Sequence, residues 1–324
     1  MLAIAALLAA GGAALSPLVP DYWWLVPLQF GGGLGRTVAW VAAQAYLIQT
    51  TPAPQLARRT TLFSFWSNGG TFLAPVLGGL LVDALGYSAA FAFAAALYVA
   101  LAAGIVGLPA PAGASAPPGW SPWQAYRRAG ALLLRGGVLL LLAGTGLRLA
   151  LSSLRTSFFP VYLLSLEVSP SMVGLVVGLG SLAGVLATPL ALRLQPRFGA
   201  GPFLFLALMV SAVAMLAAPY LPVLLPLALA GVVWGIGIGI TLPPLLTLIA
   251  QHTERAERGL GTAVRNTGNE WAIMLSPIVF GQVAQVTGLA DAFLVIGCAL
   301  LAAALAGLAW ARRLGAAVPE AGVG

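Results

Sequence analysis

Ten stretches of this chain are almost continuously apolar, and short segments between them hold most of the charge. They fall near residues 2–19, 22–49, 61–84, 88–108, 136–165, 171–192, 202–219, 222–250, 262–287 and 290–311. They run for roughly 18 to 30 residues, and about 20 helical residues cross the hydrocarbon of a bilayer. No ten-residue alternation of apolar and polar side chains occurs, so a transmembrane barrel is excluded. The pattern predicts an all-α membrane protein, a polytopic bundle of about ten transmembrane helices. The first run, MLAIAALLAAGGAALSPLVP, has the length of a signal peptide but no basic start, and another apolar run follows it. It reads as a span.

Composition agrees. With 7% charged side chains in 324 residues and a mean hydropathy of +0.98, the chain cannot cover a water-soluble surface. The net charge of +7 comes with fifteen basic residues, all of them Arg and mostly in short loops, so it signals topology and not a nucleic-acid partner. Arg58, Arg59, Arg127, Arg128, Arg135, Arg193, Arg197, Arg255, Arg258, Arg312 and Arg313 fall on one side of a ten-span path, while Asp21, Glu167 and Asp291 fall on the other. Basic loops are retained in the cytoplasm. Both termini are therefore expected to be cytoplasmic, in a bacterial inner membrane given the Ala, Gly and Arg bias. A single cysteine, Cys298, permits no intrachain disulfide, and neither a metal set nor a cofactor loop is visible. No cofactor is expected.

The chain also repeats itself. Ser67 to Phe91 reads SNGGTFLAPVLGGLLVDALGYSAAF, and Asn269 to Phe293 reads NEWAIMLSPIVFGQVAQVTGLADAF. Leu73, Pro75, Gly79, Gly86, Ala90 and Phe91 meet Leu275, Pro277, Gly281, Gly288, Ala292 and Phe293 at a constant register shift. The same shift carries Pro17, Pro20, Gly33, Gly35, Gln49, Thr51 and Thr60 onto Pro219, Pro222, Gly235, Gly237, Gln251, Thr253 and Thr262. An internal duplication of this length marks two halves, which in membrane transporters enclose a substrate path. The predicted organisation is a four-span half over 1–108, a cytoplasmic linker over 109–135, a six-span half over 136–315 and a tail over 316–324. The linker contains PAPAGASAPPGWSPW, which has no apolar periodicity, and its Trp120, Trp123 and Tyr126 are suited to the headgroup level. Spans 5 and 6 have no counterpart, so the full design is expected to be six plus six, with two spans before residue 1.

On these residues the chain resembles the major facilitator superfamily from its third to its twelfth helix. Gly70 to Gly79 around Pro75 is similar to the glycine and proline signature of the family's fifth helix in proton-coupled antiporters, with Ala74 where a family glycine stands. Arg193, Arg197, Phe198 and Gly199 echo its charged loop motif weakly. The resemblance implies a two-bundle transporter working by alternating access, with Pro75, Gly78, Gly79, Pro277 and Gly281 as its conformational motif.

Ionisable groups within a span are costly, so they mark candidate chemistry. Arg36 lies roughly 20 Å into span 2 by helical rise, and Arg148 at a similar depth in span 5. A guanidinium offers a planar fork to a carboxylate or phosphate, which makes Arg36, Arg148, Ser152 and Trp40 candidate substrate contacts. The alternative is that each Arg pairs with an acid on a neighbouring helix. Arg155 shares the face of Arg148 and Ser152 and is expected to snorkel or gate near the outer interface. Glu270 is the carboxylate well inside a span, next to Arg265 and Asn266, and these three with Asp83 are candidates for proton coupling or gating. A contact of Glu270 with Arg265 or Asn266 that merely closes the cytoplasmic end, and solvation of Asp83, are the competing readings.

The expected function is transport of a small organic solute across the bilayer by a monomer, coupled to protons and extending to multidrug efflux. An organic-anion or sugar permease, or a truncated remnant or partner subunit without transport, is the alternative. No enzymatic machinery is expected, since no nucleophile and base pair is apparent.

Overall fold

The computed structural model describes residues 2–106, 130, 136–221, 223–252 and 258–317. Apart from residue 130, the linker expected over 109–135, with its three aromatic residues, and most of the tail expected over 316–324 lie outside the described residues. Among the described residues the chain is helical and holds no strand. The helices are α1 (Leu2–Leu15), α2 (Tyr22–Thr50), α3 (Ala53–Leu85), α4 (Tyr87–Val106), α5 (Gly136–Ser165), α6 (Pro170–Phe198), α7 (Ala200–Ala217), α8 (Leu224–Gly239), α9 (Leu242–His252), α10 (Arg258–Thr287) and α11 (Leu289–Ala317). Each predicted span is thus occupied by helix, the eighth by two. Among the described residues seven segments are individually long and apolar enough to cross a membrane, including Arg58–Leu85, Gly136–Ser165 and Leu224–Ile249. Helix α2 and helix α10 are not among the seven; Gln29, Arg36 and Gln44 lower the apolarity of one, and Glu270, Gln282 and Gln285 that of the other.

The chain divides into two compact units. The first comprises Met1–Pro118 with Ser169–Ser171, and the second Gly119–Val168 with Met172–Gly324. The first unit packs through small residues, and every buried apolar side chain in it among the described residues is an alanine, such as Ala5, Ala6, Ala9 and Ala95. A β-carbon on Gly35 would stand 2.5 Å from the Ala5 carbonyl and 2.8 Å from Ala9 N, so α2 meets α1 backbone to backbone. The second unit has a large core instead, with Trp234, Phe159, Phe205, Phe280 and Phe293 all fully buried. Phe158 and Phe280 lie 4.3 Å apart between ring centres, and Phe280 and Phe293 4.9 Å.

The duplication is visible in backbone detail at an offset of 202 positions. Gly86 (φ 82°) and its counterpart Gly288 (φ 89°) both turn the chain in the left-handed region, which glycine enters without a steric cost. Each closes the preceding helix in the same way, Gly86 N donating to Val82 O and Gly288 N to Ala284 O. Short 3-10 turns occupy Ser16–Leu18 and Ala218–Tyr220, again equivalent positions. Gly237 repeats the close approach of Gly35, since a β-carbon there would lie 2.8 Å from Ala207 O and 3.0 Å from Ser211 N.

Candidate functional site

In the first unit Arg36 projects from α2 and is exposed. Its Nη1 and Nη2 lie beside its own helix, 3.6 Å from where a β-carbon of Gly32 would stand and 3.8 Å from that of Gly33. Trp40 follows one turn later, also exposed, with its ring 5.2 Å from that of Phe63 on α3. Residues four apart share a helix face, so Arg36 and Trp40 present a cation and an aromatic surface together.

In the second unit the two α5 arginines have different surroundings. Arg148 is partly buried, and its Nε donates to Thr241 Oγ1 at 2.8 Å. Arg155 is 5% exposed. Its Nη1 donates to Val177 O at 3.1 Å and its Nη2 to Ser181 Oγ at 2.9 Å, both on α6. The expected snorkelling of Arg155 therefore does not occur: the side chain turns inward because Gly180 leaves room for it, a β-carbon there standing 2.9 Å from Nη1. Ser152 lies between them, partly buried, and its carbonyl accepts from Thr156 Oγ1.

Helix α6 meets α8 along a seam of glycines. A β-carbon on Gly180 would stand 2.7 Å from Gly231 O and one on Gly184 2.6 Å from Gly235 O, while Gly235 and Gly239 press in turn on the carbonyls of Gly180 and Gly184. Glycine at this spacing lets helix backbones touch. The seam ends where α8 gives way to α9 at Ile240 and Thr241. Pro243 and Pro244 follow and donate no backbone hydrogen bond, so the carbonyls of Gly239 and Ile240 lose their usual helical donors. Thr188 Oγ1 of α6 reaches Gly239 O at 3.5 Å. Thr241 Oγ1 donates to Ile238 O while accepting from Arg148.

The remaining candidates are dispersed. Glu270 is exposed on α10, and the neighbouring Asn269 keeps a buried Oδ1 without a hydrogen bond. The side chains of Arg265 and Asn266 lie outside the described residues. Asp83, exposed in α3, accepts from Ser171 N at 2.8 Å, within the first unit. Gly79 lies against the Pro170 carbonyl, whereas Gly78 faces open space. Gly281, on α10, would place a β-carbon 3.7 Å from Phe158 Cζ, and Pro75 and Pro277 are accommodated inside helices α3 and α10. The sequence reading missed Thr241, Thr188, Thr145, Ser181, Gly180 and Gly184. Of these only the glycine pair carried a signal, its four-residue spacing.

The described residues thus form apolar helices in two units, with arginines inside the apolar region and no group of metal-ligating residues among them. The family model described as Major Facilitator Superfamily matches residues 1–165 and 140–321. The chain belongs to the major facilitator superfamily. Among solved structures, a bacterial homologue of the human lysosomal transporter Spinster, in an inward-facing and unoccupied conformation, is similar with a TM-score of 0.64 at 18% identity, over 98% of this chain and 80% of that one. A peptide transporter POT in complex with sulfate gives a TM-score of 0.71 at 15% identity, over 96% and 79%. A POT family transporter in complex with 5-aminolevulinic acid gives 0.71 at 13% identity, over 97% and 81%. Identities this low establish the fold alone. Among curated proteins none matches the chain. This superfamily member is an integral membrane protein and a transporter, not an enzyme.

Proposed function

We propose that the chain carries a small organic solute with an acidic group across the bilayer, by alternating access of the bundles formed by 1–108 and 136–315. Arg36 in the first bundle and Arg148 in the second are the solute contacts, and Trp40 supplies an apolar face beside Arg36. The observation that carries this reading is the exposure of Arg36 within α2, where its guanidinium lies beside Gly32 and Gly33 of its own helix. A guanidinium kept at that depth is expensive unless a ligand or water compensates it, and its fork matches a carboxylate or phosphate. Ser152, one turn from Arg148, belongs to the same contact set.

The carrier works as a monomer in a bacterial cytoplasmic membrane, with the Arg-bearing loops and both termini on the cytoplasmic side. A second reading, proton-driven efflux of cationic drugs, is favoured by the exposed carboxylate of Glu270 on α10, with Asp83, Arg155, Arg265 and Asn266 as further gating or coupling groups. The two readings separate in membrane vesicles carrying the chain, supplied in turn with a panel of radiolabelled organic acids and a fluorescent cationic dye, with and without a proton gradient. Acid movement that Arg36→Ala and Arg148→Ala each reduce tenfold or more, at unchanged protein level, supports the first reading. Dye movement that Glu270→Gln abolishes, with both Arg variants unaffected, replaces it with the second.

A further inference from the structure

The bond between Arg148 and Thr241 joins a candidate solute contact to the break between α8 and α9. Three helices converge there. Arg148 arrives from α5, Thr188 from α6, and the broken strand of helix supplies Thr241 itself, which is fully buried. Between the two helices the backbone bonds are Ile240 N to Ile236 O, Thr241 N to Ile238 O and Leu245 N to Thr241 O, while Pro243 and Pro244 donate none.

The Thr241 hydroxyl is also oriented. A hydroxyl has one hydrogen to give and lone pairs to receive. Its hydrogen goes to Ile238 O, so a lone pair is turned to the Nε hydrogen of Arg148. A guanidinium is planar, and fixing Nε fixes the plane in which the other nitrogens lie. Thr145, three residues before Arg148 on the same side of α5, has a 3% exposed side chain whose Oγ1 makes no hydrogen bond. An unpartnered hydroxyl in so dry a place is costly, and beside an arginine it offers a further donor to an anion.

We propose that Thr241 is the positioning residue of the Arg148 site: it sets the plane of the guanidinium for an acidic solute, and through it an occupied site stiffens the break between α8 and α9. The proposal rests on Arg148 as a solute contact, as argued above. The anion is taken up by Arg148 with Thr145 as second donor, while Thr241 keeps hold of Nε. Binding then clamps the helix break to α5 more firmly than the Arg148–Thr241 bond does in an empty site. The glycine seam that leads up to the break allows α8 to shift along α6 without side chains interlocking.

The test is hydrogen–deuterium exchange of the full chain in lipid nanodiscs, read over residues 239–247. Sodium benzoate and sodium sulfate are added in turn, with chloride at equal ionic strength as control. Without added anion, Thr241→Val and Arg148→Met are expected to speed exchange there tenfold or more, and Thr241→Ser to match the parent. Benzoate or sulfate should slow exchange in the parent and in Thr241→Ser, and leave Thr241→Val unchanged. Exchange in Thr241→Val equal to that of the parent overturns the positioning role. A parent indifferent to both anions, while Thr241→Val and Arg148→Met still exchange faster, overturns Arg148 as an acid-binding residue and the proposal with it. Solute movement in the vesicle assay would in that case show that transport itself stands.

Discussion

Helix α2 and the α8–α9 pair are copies of one ancestral span, and they have diverged at their middle. Gly33 and Gly35 match Gly235 and Gly237, and the close approach of Gly35 to α1 is repeated by Gly237 against α7. Past that point α2 continues unbroken through Val41 and Ala42, where its copy has Pro243 and Pro244 and breaks. The charge is also supplied differently. In α2 it comes from the helix itself, as Arg36, whose counterpart is the apolar Ile238; in the second unit Arg148 brings it from α5 to Thr241. The same span has become in one half an intact rod with its own cation, and in the other a broken rod that receives one. A helix that loses two backbone donors needs outside groups to satisfy its carbonyls, and the Thr188 hydroxyl, shared between Gly184 O and Gly239 O, meets part of that need at Gly239.

The largest expected effect tests the packing side of this comparison. Gly235→Leu forces a side chain into the backbone of α6 and should abolish folded protein in detergent, because overpacking costs about 1–3 kcal/mol even where side chains yield and backbone does not. Gly33→Leu, at the equivalent site, meets only the end of Arg36 and should give a normal yield and melting temperature by size-exclusion chromatography and thermal unfolding. Equal behaviour of the two would break the comparison.

Next in size is the contrast between buried and exposed arginine. Arg155→Lys cannot reach both Val177 O and Ser181 Oγ with the same fixed geometry, and loses about 1.5–3 kcal/mol for one charged hydrogen bond. Arg36→Lys should leave thermal stability unchanged, since no hydrogen bond of Arg36 is present to lose among the described residues. Smaller again is Asp83→Asn, which removes a negative charge from the first turn of α6. A charge so placed is worth about 0.3–1 kcal/mol, and the loss should shrink in high salt, as a melt at two ionic strengths will show.

The smallest effect is a pH dependence at the end of α9. His252 lies beyond Ile249, where that span ends, with its ring against Gly137 of α5. Burial pushes its imidazole below the ordinary value of 6.5, so the unfolded chain takes up this proton at a higher pH than the folded one. Its contribution to stability is fully present above pH 6.5 and is lost as pH falls through 6.5 towards the folded value. Melting curves recorded downward from pH 7.5 should therefore show a decline that is weaker in His252→Phe.

The sequence by itself determined the membrane class, the helices of all ten spans and the duplication. These rest on local properties: apolar length fixes a span, and Gly86 with Gly288 fixes a turn because only glycine takes its positive φ at no cost. Arg36 and Arg148 were legible for a related reason, since a cation in an apolar run stands out whatever surrounds it. What each arginine touches was decided only by tertiary structure. Arg148, Ser152 and Arg155 read as one face of α5, yet Arg148 turns to the helix break and Arg155 to the gap that Gly180 leaves in α6. Thr241 and Thr188 are unremarkable residues in the chain and acquire a role only in space: Thr241 because the helix break brings its hydroxyl to Arg148, and Thr188 because Pro243, distant from it in sequence, leaves the Gly239 carbonyl without its helical donor. Hydrophobic pattern follows from the solvent each residue must meet, whereas pairing depends on which helices adjoin, and that is set by the fit of whole surfaces.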